Sequence, residues 1–303
     1  MNIDTNKGPW WFTSKTAKPR DRSKIISVKT GITEIDNKII GLNKGEISVF
    51  SGFRSAGKST ILTQIALQVV NEKKKVAMFS GESREDRVFE WTYLICAGRT
   101  YTYPTDYENY FKIAPDAMPL MEDWLEQKLF VYNNKYGNKQ EMLFLMMKDC
   151  IESKATDVIV LDNLMSIDIG GADTYKNAKQ TALIWDIKRF AEDNNVHIVL
   201  VAHPRKTVYG VLRIDDIAGT SDLTNAADNV FLLHRVNFDF IRNAMALFRW
   251  SEDHGMLQYD NIIEIAKNRD LGRCDDMIGL YFDKASRQMT CDGSEIKYRW
   301  RND

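Results

Sequence analysis

Short apolar runs alternate with longer amphipathic segments along most of the chain. The runs are five or six residues long and predict buried strands at 46–51, 75–80, 128–132, 157–162, 197–202, 229–234 and 261–266. Segments with helical periodicity lie between them, at 59–70, 83–98, 139–153 and 181–194. Strands that alternate with helices predict an α/β fold, with a mainly parallel, twisted sheet flanked by helices.

The two ends of the chain depart from this alternation. Residues 277–290 predict two short antiparallel strands that close one edge of the sheet. Residues 1–25 are polar and basic and are predicted to form an N-terminal arm, which leaves 26–303 as the main domain. Aromatic side chains of the arm are expected to dock on the chain's own core or on a neighbouring subunit, since both kinds of surface favour them; they are Trp10, Trp11 and Phe12.

Composition limits the partners that the chain can bind. Its 303 residues have a formal net charge of −1 and a pI near 6.5, so any contact with nucleic acid must come from a local basic patch. The cysteines have neither metal-ligand nor disulfide spacing; they are Cys96, Cys150, Cys274 and Cys291. The sequence has no signal-peptide core and no run of about 20 apolar residues, which predicts a soluble intracellular protein without a membrane partner.

The chemistry begins at residues 52–60, GFRSAGKST, which fit the pattern G-x-x-x-x-G-K-[ST]. This segment follows a predicted strand and opens a predicted helix, as a phosphate-binding loop does. Its backbone N–H groups would wrap the phosphates of ATP or another NTP, while Lys58 would reach the β and γ phosphates and Ser59 would bind Mg²⁺. The predicted nucleotide contacts are Gly52, Arg54, Ser55, Ala56, Gly57, Lys58, Ser59 and Thr60.

Two carboxylates are placed to complete a hydrolytic site. Asp162 ends a buried strand, where a lone carboxylate is costly unless it faces a cation, so it is predicted to hold the Mg²⁺ with Ser59. Glu82 follows the strand after the loop's helix, at the sheet edge where ligands of open α/β sheets bind. It is predicted to be the base that activates water, and the alternative is that it caps the helix beginning near Ser83.

The next strand leads into a basic loop. His203 stands at the end of this strand and is predicted to bond the γ-phosphate, which would report whether ATP or ADP is bound. A loop whose position depends on the nucleotide could grip DNA phosphates, and the alternative is a charged loop that is only solvated. The candidate DNA-binding residues are Arg205, Lys206, Gly210 and Arg213.

Several segments occur in a recognisable order: GITEIDNKIIGLNKGEISVFSGFRSAGKST, FSGES, VIVLDNL, VAHPRK, GTSDLTNAADNVFLLHR and IAKNRDLG. Together they resemble the helicase domain of DnaB-like replicative helicases, nearest to the Twinkle and phage primase-helicase branch. The resemblance implies a RecA-like P-loop NTPase, usually a hexameric ring, that moves along single-stranded DNA and unwinds duplex DNA in replication. It also implies the cytoplasm of a bacterial or phage-infected cell rather than a mitochondrion, with a primase or polymerase as a candidate partner.

The same resemblance gives Glu82, Asp162 and His203 the roles stated above and places the DNA loop at 204–221. It implies that Lys267 and Arg269 act on the nucleotide of an adjacent subunit, with Arg269 as an arginine finger supplied in trans. The alternative for these two cations is an exposed strand end with ordinary charges. The alternative for the whole chain is a RecA- or clock-type oligomeric ATPase that acts in recombination, loading or signalling without unwinding.

Overall fold

The computed structural model describes residues 11–17, 21, 25–170, 176–205, 210–219, 221–272 and 274–301. The strands are β1 Ser27–Val28, β2 Leu42–Asn43, β3 Ile47–Gly52, β4 Val76–Ser80, β5 Thr102–Pro104, β6 Phe111–Ile113, β7 Leu129–Val131, β8 Val158–Asp162, β9 His197–Ala202, β10 Asn229–Arg235, β11 Asn261–Asn268, β12 Asp276–Phe282 and β13 Met289–Thr290. The α-helices are α1 Thr33–Asp36, α2 Lys58–Asn71, α3 Glu85–Ala97, α4 Ala117–Leu125, α5 Gln140–Glu152, α6 Lys176–Asn194, α7 Ser221–Ala226 and α8 Phe238–Phe248.

Nine of the described strands form one sheet in the order β13-β12-β11-β10-β3-β9-β8-β4-β7. Every pair from β10 to β7 is parallel, whereas β10, β11, β12 and β13 pair antiparallel with one another. The predicted α/β fold and the antiparallel closing strands are therefore confirmed. Each predicted strand is present, with ends within two residues of the prediction.

Helices cover both faces of this sheet. The buried side chains of α2, α3 and α4 form one hydrophobic cluster, and those of α5, α6 and α7 form another on the opposite face. Side chains of the central strand β3 alternate between them, since Val49 enters the second cluster and Phe50 the first. Phe50 stacks on Phe231 of β10 with ring centroids 4.5 Å apart. This packing fixes the position of β3, and with it the start of the loop that follows.

Several described elements were not predicted, namely the helices α1, α4, α7 and α8, the pair of β1 and β2, and the hairpin of β5 and β6. Helix α8 has a visible start signal, because the Asn237 side chain accepts a hydrogen bond from the Phe240 N–H at 2.9 Å. Phe240 and Ala244, one turn apart, then pack with Val211 and Ile262 in a small separate cluster. The helix therefore contacts the loop that follows β9.

The aromatic side chains of the arm do not pack on the chain's own core where the structure describes them. Trp11 is 84% exposed and Phe12 is 67% exposed, while Trp10 lies outside the described residues. Among the described residues, none of the helices has the length and apolar character needed to cross a membrane.

Candidate nucleotide-binding and hydrolytic site

The phosphate loop, residues 52–60, joins β3 to α2 through backbone that only glycine tolerates at two points. A Cβ on Gly52 would lie 2.7 Å from the Leu233 carbonyl oxygen, so β10 approaches the loop too closely for any side chain. Gly57 has a φ of 90° and precedes the first residue of α2. Asn261 of β11 supports the loop from outside, because its Nδ2 donates to the Ala56 carbonyl at 3.1 Å. The loop therefore ends at the N-terminus of a helix, a position that favours the binding of an anion.

The side chain of Lys58 lies within the loop. Its Nζ donates to the carbonyl oxygens of Gly52, at 2.7 Å, and Phe53, at 3.0 Å. Burial lowers the pKa of Lys58, and the nearby carboxylates of Asp162 and Glu82 oppose that shift. The ammonium group is thus held at the centre of the site by neutral carbonyls, which a phosphate oxygen can replace.

The other residues predicted to contact the nucleotide differ in their exposure to solvent. Ala56 and Thr60 are buried, while Arg54 and Ser55 are exposed. Ser55 has a φ of 62°, an uncommon conformation for a residue other than glycine.

Ser59 and Asp162 lie together, as predicted for a Mg²⁺ site. The Ser59 Oγ is 3.5 Å from the Asp162 Oδ2. Burial and the adjacent Glu82 charge raise the pKa of Asp162, although Lys58 acts in the opposite direction. Within the described part of the chain, no group of three or more His, Cys, Asp or Glu side chains could hold a metal. One carboxylate and one hydroxyl fit Mg²⁺, which takes few protein ligands when phosphates and water complete its shell.

Glu82 and His203 meet at a residue that was not predicted to belong to the site, Asn163. The Asn163 Nδ2 donates to the Glu82 Oε1 at 2.6 Å and lies 2.9 Å from the His203 Nε2. The His203 Nε2 is also 3.1 Å from the Glu82 Oε1. This nitrogen can donate to Glu82 when it carries a proton, or accept from Asn163 when it does not.

This arrangement keeps Glu82 ionised. Burial alone would raise the pKa of Glu82, but hydrogen bonds from His203 and Asn163, together with the charges of His203 and Lys58, lower it overall. Glu82 does not cap α3, because that helix begins at Glu85 with Arg84 at its N-cap. The helix-cap alternative for Glu82 is therefore wrong, and the ionised carboxylate is in the form that a general base requires.

The sheet order explains why residues distant in sequence share this site. Neighbouring parallel strands β3, β9, β8 and β4 end respectively at the phosphate loop and near His203, Asp162 and Glu82. The carboxyl ends of parallel strands lie at one edge of a sheet, where ligands of open α/β folds bind. Asn163 joins the set because it directly follows β8, and it is 1% exposed.

Lys267 and Arg269 lie near the amino ends of the parallel strands, whereas the phosphate loop lies at their carboxyl ends. Asn268 pairs with Asn229 at the start of β10, whereas Leu233, four residues later, pairs with Gly52 at the phosphate loop. At ~3.3 Å per residue this separates the two cations from their own loop by at least ~13 Å along the strands. Within the chain, Lys267 Nζ donates to the Thr224 carbonyl at 2.7 Å. Arg269 pairs with Asp228.

The described segments 204–205 and 210–219 of the predicted DNA loop make several contacts with the rest of the chain. Leu212 is fully buried, and the Arg205 N–H donates to the Asp216 carbonyl at 2.8 Å. A side chain on Gly210 would overlap Asn243 of α8, so this glycine serves the packing of the loop. The side chains of Arg205 and Arg213 are exposed. Lys206 lies outside the described residues.

Comparison with protein families and curated sequences identifies relatives of the chain. A model of the AAA domain family matches residues 13–208. The Replicative DNA helicase DnaB of Helicobacter pylori strain J99 and that of strain 26695 are each 21% identical to the chain over 222 residues. These matches cover 70% of this chain and 44% of each relative, so the chain spans less than half the length of these relatives.

Solved structures share the fold. A DnaB-like replicative helicase, studied with its interactions with primase, superposes with a TM-score of 0.69 at 15% identity and covers 89% of this chain and 64% of its own. A second solved structure, that of an ATPase domain, superposes with a TM-score of 0.69 at 16% identity and covers 89% of this chain and 92% of its own. The predicted RecA-like fold and the resemblance to DnaB-like helicase ATPase domains are thereby confirmed.

Proposed function

Because the chain belongs to the AAA domain family, we propose that it hydrolyses ATP or another NTP with Mg²⁺ and uses the energy to move along single-stranded DNA. In this proposal it acts as a hexameric ring that unwinds duplex DNA during replication. The observation that carries the proposal is the meeting of Glu82, Asn163 and His203 beside a complete phosphate loop. A nucleotide-binding scaffold needs the loop alone, whereas hydrolysis also needs a placed base.

Each residue of the site has a part in the proposed hydrolysis. The loop N–H groups and Lys58 bind the β and γ phosphates, and Lys58 exchanges its carbonyl partners for phosphate oxygens. Ser59 and Asp162 would hold Mg²⁺, which would supply neutralising charge to the phosphates. Glu82 orients an attacking water and takes its proton. His203 reports the loss of the γ-phosphate, because its ring nitrogen already lies between Asn163 and Glu82.

His203 also stands at the base of the proposed DNA loop. The Ala218 N–H donates to the His203 carbonyl at 2.8 Å, so the loop returns to the residue that contacts the γ-phosphate. A shift of His203 on hydrolysis would move both ends of the loop and the exposed side chains of Arg205 and Arg213. These two arginines, with Lys206, are the proposed contacts to DNA phosphates.

The position of Lys267 and Arg269 supports a site shared between subunits. They lie across the sheet from the phosphate loop of their own chain, which argues against action in cis. A ring would bring them to the neighbour's nucleotide, where Arg269 stabilises charge that develops on the γ-phosphoryl group. The proposal extends to a primase or polymerase as a partner at the fork; a DnaB-like helicase of similar fold was solved for its interactions with primase.

ATP turnover by the purified chain, with and without long single-stranded DNA at low salt, tests the proposal. Low salt is used because phosphate contacts weaken steeply as salt rises. DNA should stimulate turnover several-fold, and Lys58→Ala should abolish both the basal and the stimulated rate. A forked duplex with one labelled strand then tests unwinding. Turnover without any response to DNA, and without strand displacement, would instead favour an ATPase of the loading or signalling kind.

A further inference from the structure

Asp228, directly before β10, joins the proposed finger to the strand that carries the phosphate loop. Its Oδ1 accepts a hydrogen bond from the Arg269 Nη1 at 3.0 Å. Its Oδ2 accepts from the Lys188 Nζ at 2.8 Å and from the Ile47 N–H at 2.9 Å. Ile47 is the first residue of β3, which ends at the loop. A single buried carboxylate thus contacts the guanidinium, an ammonium and the main chain.

Arg269 is hydrogen-bonded within the chain, yet part of its side chain is exposed to solvent. The Arg269 N–H donates to the Asp228 carbonyl at 2.8 Å, and its Nη2 donates to the Asn225 carbonyl. Main chain and side chain are therefore both fixed, yet 49% of the side chain remains exposed. Because a guanidinium has five N–H donors, it can keep these bonds and still bind a second anion.

The charges around Asp228 favour such an anion. The Asp228 carboxylate is shared by Lys188 and Arg269, and Lys188 also pairs with Glu192 at 3.2 Å. With Lys267 the cluster holds three cations and two carboxylates, so it keeps a net positive charge. Burial lowers the pKa of the adjacent Lys267, the Arg269 charge lowers it further, and Asp228 opposes both effects. The cluster attracts negative charge from outside the chain, and a triphosphate in a neighbouring subunit would supply it.

We propose that Asp228 is the positioning residue of the finger. It does not touch the nucleotide. It fixes the orientation of the Arg269 side chain at the surface, so that little conformational entropy is lost when Arg269 binds the phosphate of a neighbouring subunit. This role rests on the proposed function, specifically on the action of Arg269 in trans. The competing explanation is an ion pair that only ties α6, β3 and β10 together.

Mixed rings separate these explanations. Lys58→Ala chains cannot hydrolyse but can donate a finger, whereas Arg269→Ala chains can hydrolyse but cannot donate one. Their mixture should recover turnover at shared interfaces. Adding Asp228→Asn to the Lys58→Ala chain should lower the recovered kcat about tenfold, since a buried charge partner of the finger is lost. The KM for ATP should change little, because the finger acts in the transition state.

The same substitution in the other chain is the matched control. Asp228→Asn on the Arg269→Ala chain has no finger to position, so it should leave the recovered rate within about twofold. Lys188→Met on the Lys58→Ala chain removes the other cation that is bonded to Asp228 and should also leave the recovered rate within about twofold. Unfolding midpoints and ring size are measured for every chain.

Three results would overturn either the role of Asp228 or the action of Arg269 in trans. If Asp228→Asn lowers turnover equally from either chain, or if Lys188→Met reproduces its effect, Asp228 has a structural role only and the finger stands. If Lys58→Ala and Arg269→Ala chains never recover turnover together, the action of Arg269 in trans is itself wrong. A loss confined to the finger-donating chain is the result that we expect.

Discussion

The Asn163 amide nitrogen lies 2.6 Å from the Glu82 carboxylate and 2.9 Å from the His203 ring nitrogen, so one buried side chain holds both proposed functional groups. Asn163 is fixed in turn, because its Oδ1 accepts from the Ser166 N–H at 2.9 Å. These contacts fix the positions of the three side chains relative to one another, and a fixed arrangement lowers the reorganisation needed for hydrolysis.

Replacing Asn163 should affect catalysis more than nucleotide binding. Asn163→Ala removes a hydrogen bond that lowers the pKa of Glu82, so that pKa should rise. A base works in its ionised form, and activity is lost as pH falls through its pKa. The acidic limb of the kcat profile should therefore move to higher pH, and kcat at neutral pH should fall about 10- to 100-fold. If the acidic limb does not move and kcat is normal, Asn163 has no role in catalysis.

Gly81 should be required because Ser166 occupies the space of its missing side chain. A Cβ on Gly81 would overlap the Ser166 hydroxyl, so Gly81→Ala should displace the adjacent Glu82. We expect ATP turnover to fall about tenfold or more, as small displacements of a catalytic group do. Gly255→Ala is the control, because no atom lies within 4 Å of its added Cβ. Ser166→Gly in the Gly81→Ala chain should restore part of the activity; no recovery would point to a cause other than this overlap.

His197 should make the chain less stable in mild acid. It is fully buried, with Nδ1 donating to the Asn43 carbonyl at 2.7 Å and Nε2 lying 3.0 Å from the Ser48 hydroxyl. Burial lowers its pKa from 6.5 to about 4. The unfolded chain therefore binds this proton first, so the stabilisation is complete above pH ~6.5 and is lost as pH falls towards ~4.

Denaturant unfolding at pH 7 and pH 5 measures this effect. The free energy of unfolding should fall by about 2 kcal/mol from this residue over that interval. His197→Gln cannot take up the proton, so its pH dependence should be smaller by the same amount. Identical pH dependence in both chains would contradict the assignment.

Arg213 should contribute to DNA affinity through charge. Its side chain is exposed in the proposed DNA loop, so Arg213→Ala should leave folding intact and weaken binding of single-stranded DNA of any sequence. If it contacts one phosphate, the slope of log affinity against log salt should decrease by about 1. Lys148→Ala, at an exposed position on α5, is the matched control. Equal slopes for both variants would exclude Arg213 from the interface.

The fold and most of the candidate site could be predicted because apolar runs end abruptly at polar residues. The run before Asp162 and the run before His203 each predicted a strand and placed its last residue at the correct edge. Asn163 was missed, since an Asn after a strand is equally compatible with an ordinary turn. Its role depends on three strand ends that lie side by side, and the sequence of one strand does not show which strands are its neighbours in the sheet.

Asp228 and α8 escaped prediction for related reasons. Asp228 precedes a strand, where a polar residue is unremarkable, and its partners Lys188 and Arg269 are about 40 residues away on either side. Helix α8 lies between two strands that pair directly, so the sequence between them reads as a long connection. Its buried face comes from tertiary packing, which includes the contacts of Phe240 and Ala244 with Val211 and Ile262.

Strand β11 runs from the side of the sheet that carries the phosphate loop to the side that carries Lys267. Asn261 at its first residue bonds the phosphate loop of its own chain, and Lys267 lies near its last, across ~20 Å of extended backbone. The strand pairs with β10 along its length and with β12 over residues 261–265, and an extended strand hardly stretches, so it would transmit movement of one end to the other. In a closed ring, each such strand would connect one nucleotide site rigidly to the next. The timing of hydrolysis at one site would then depend on what occupies the site before it.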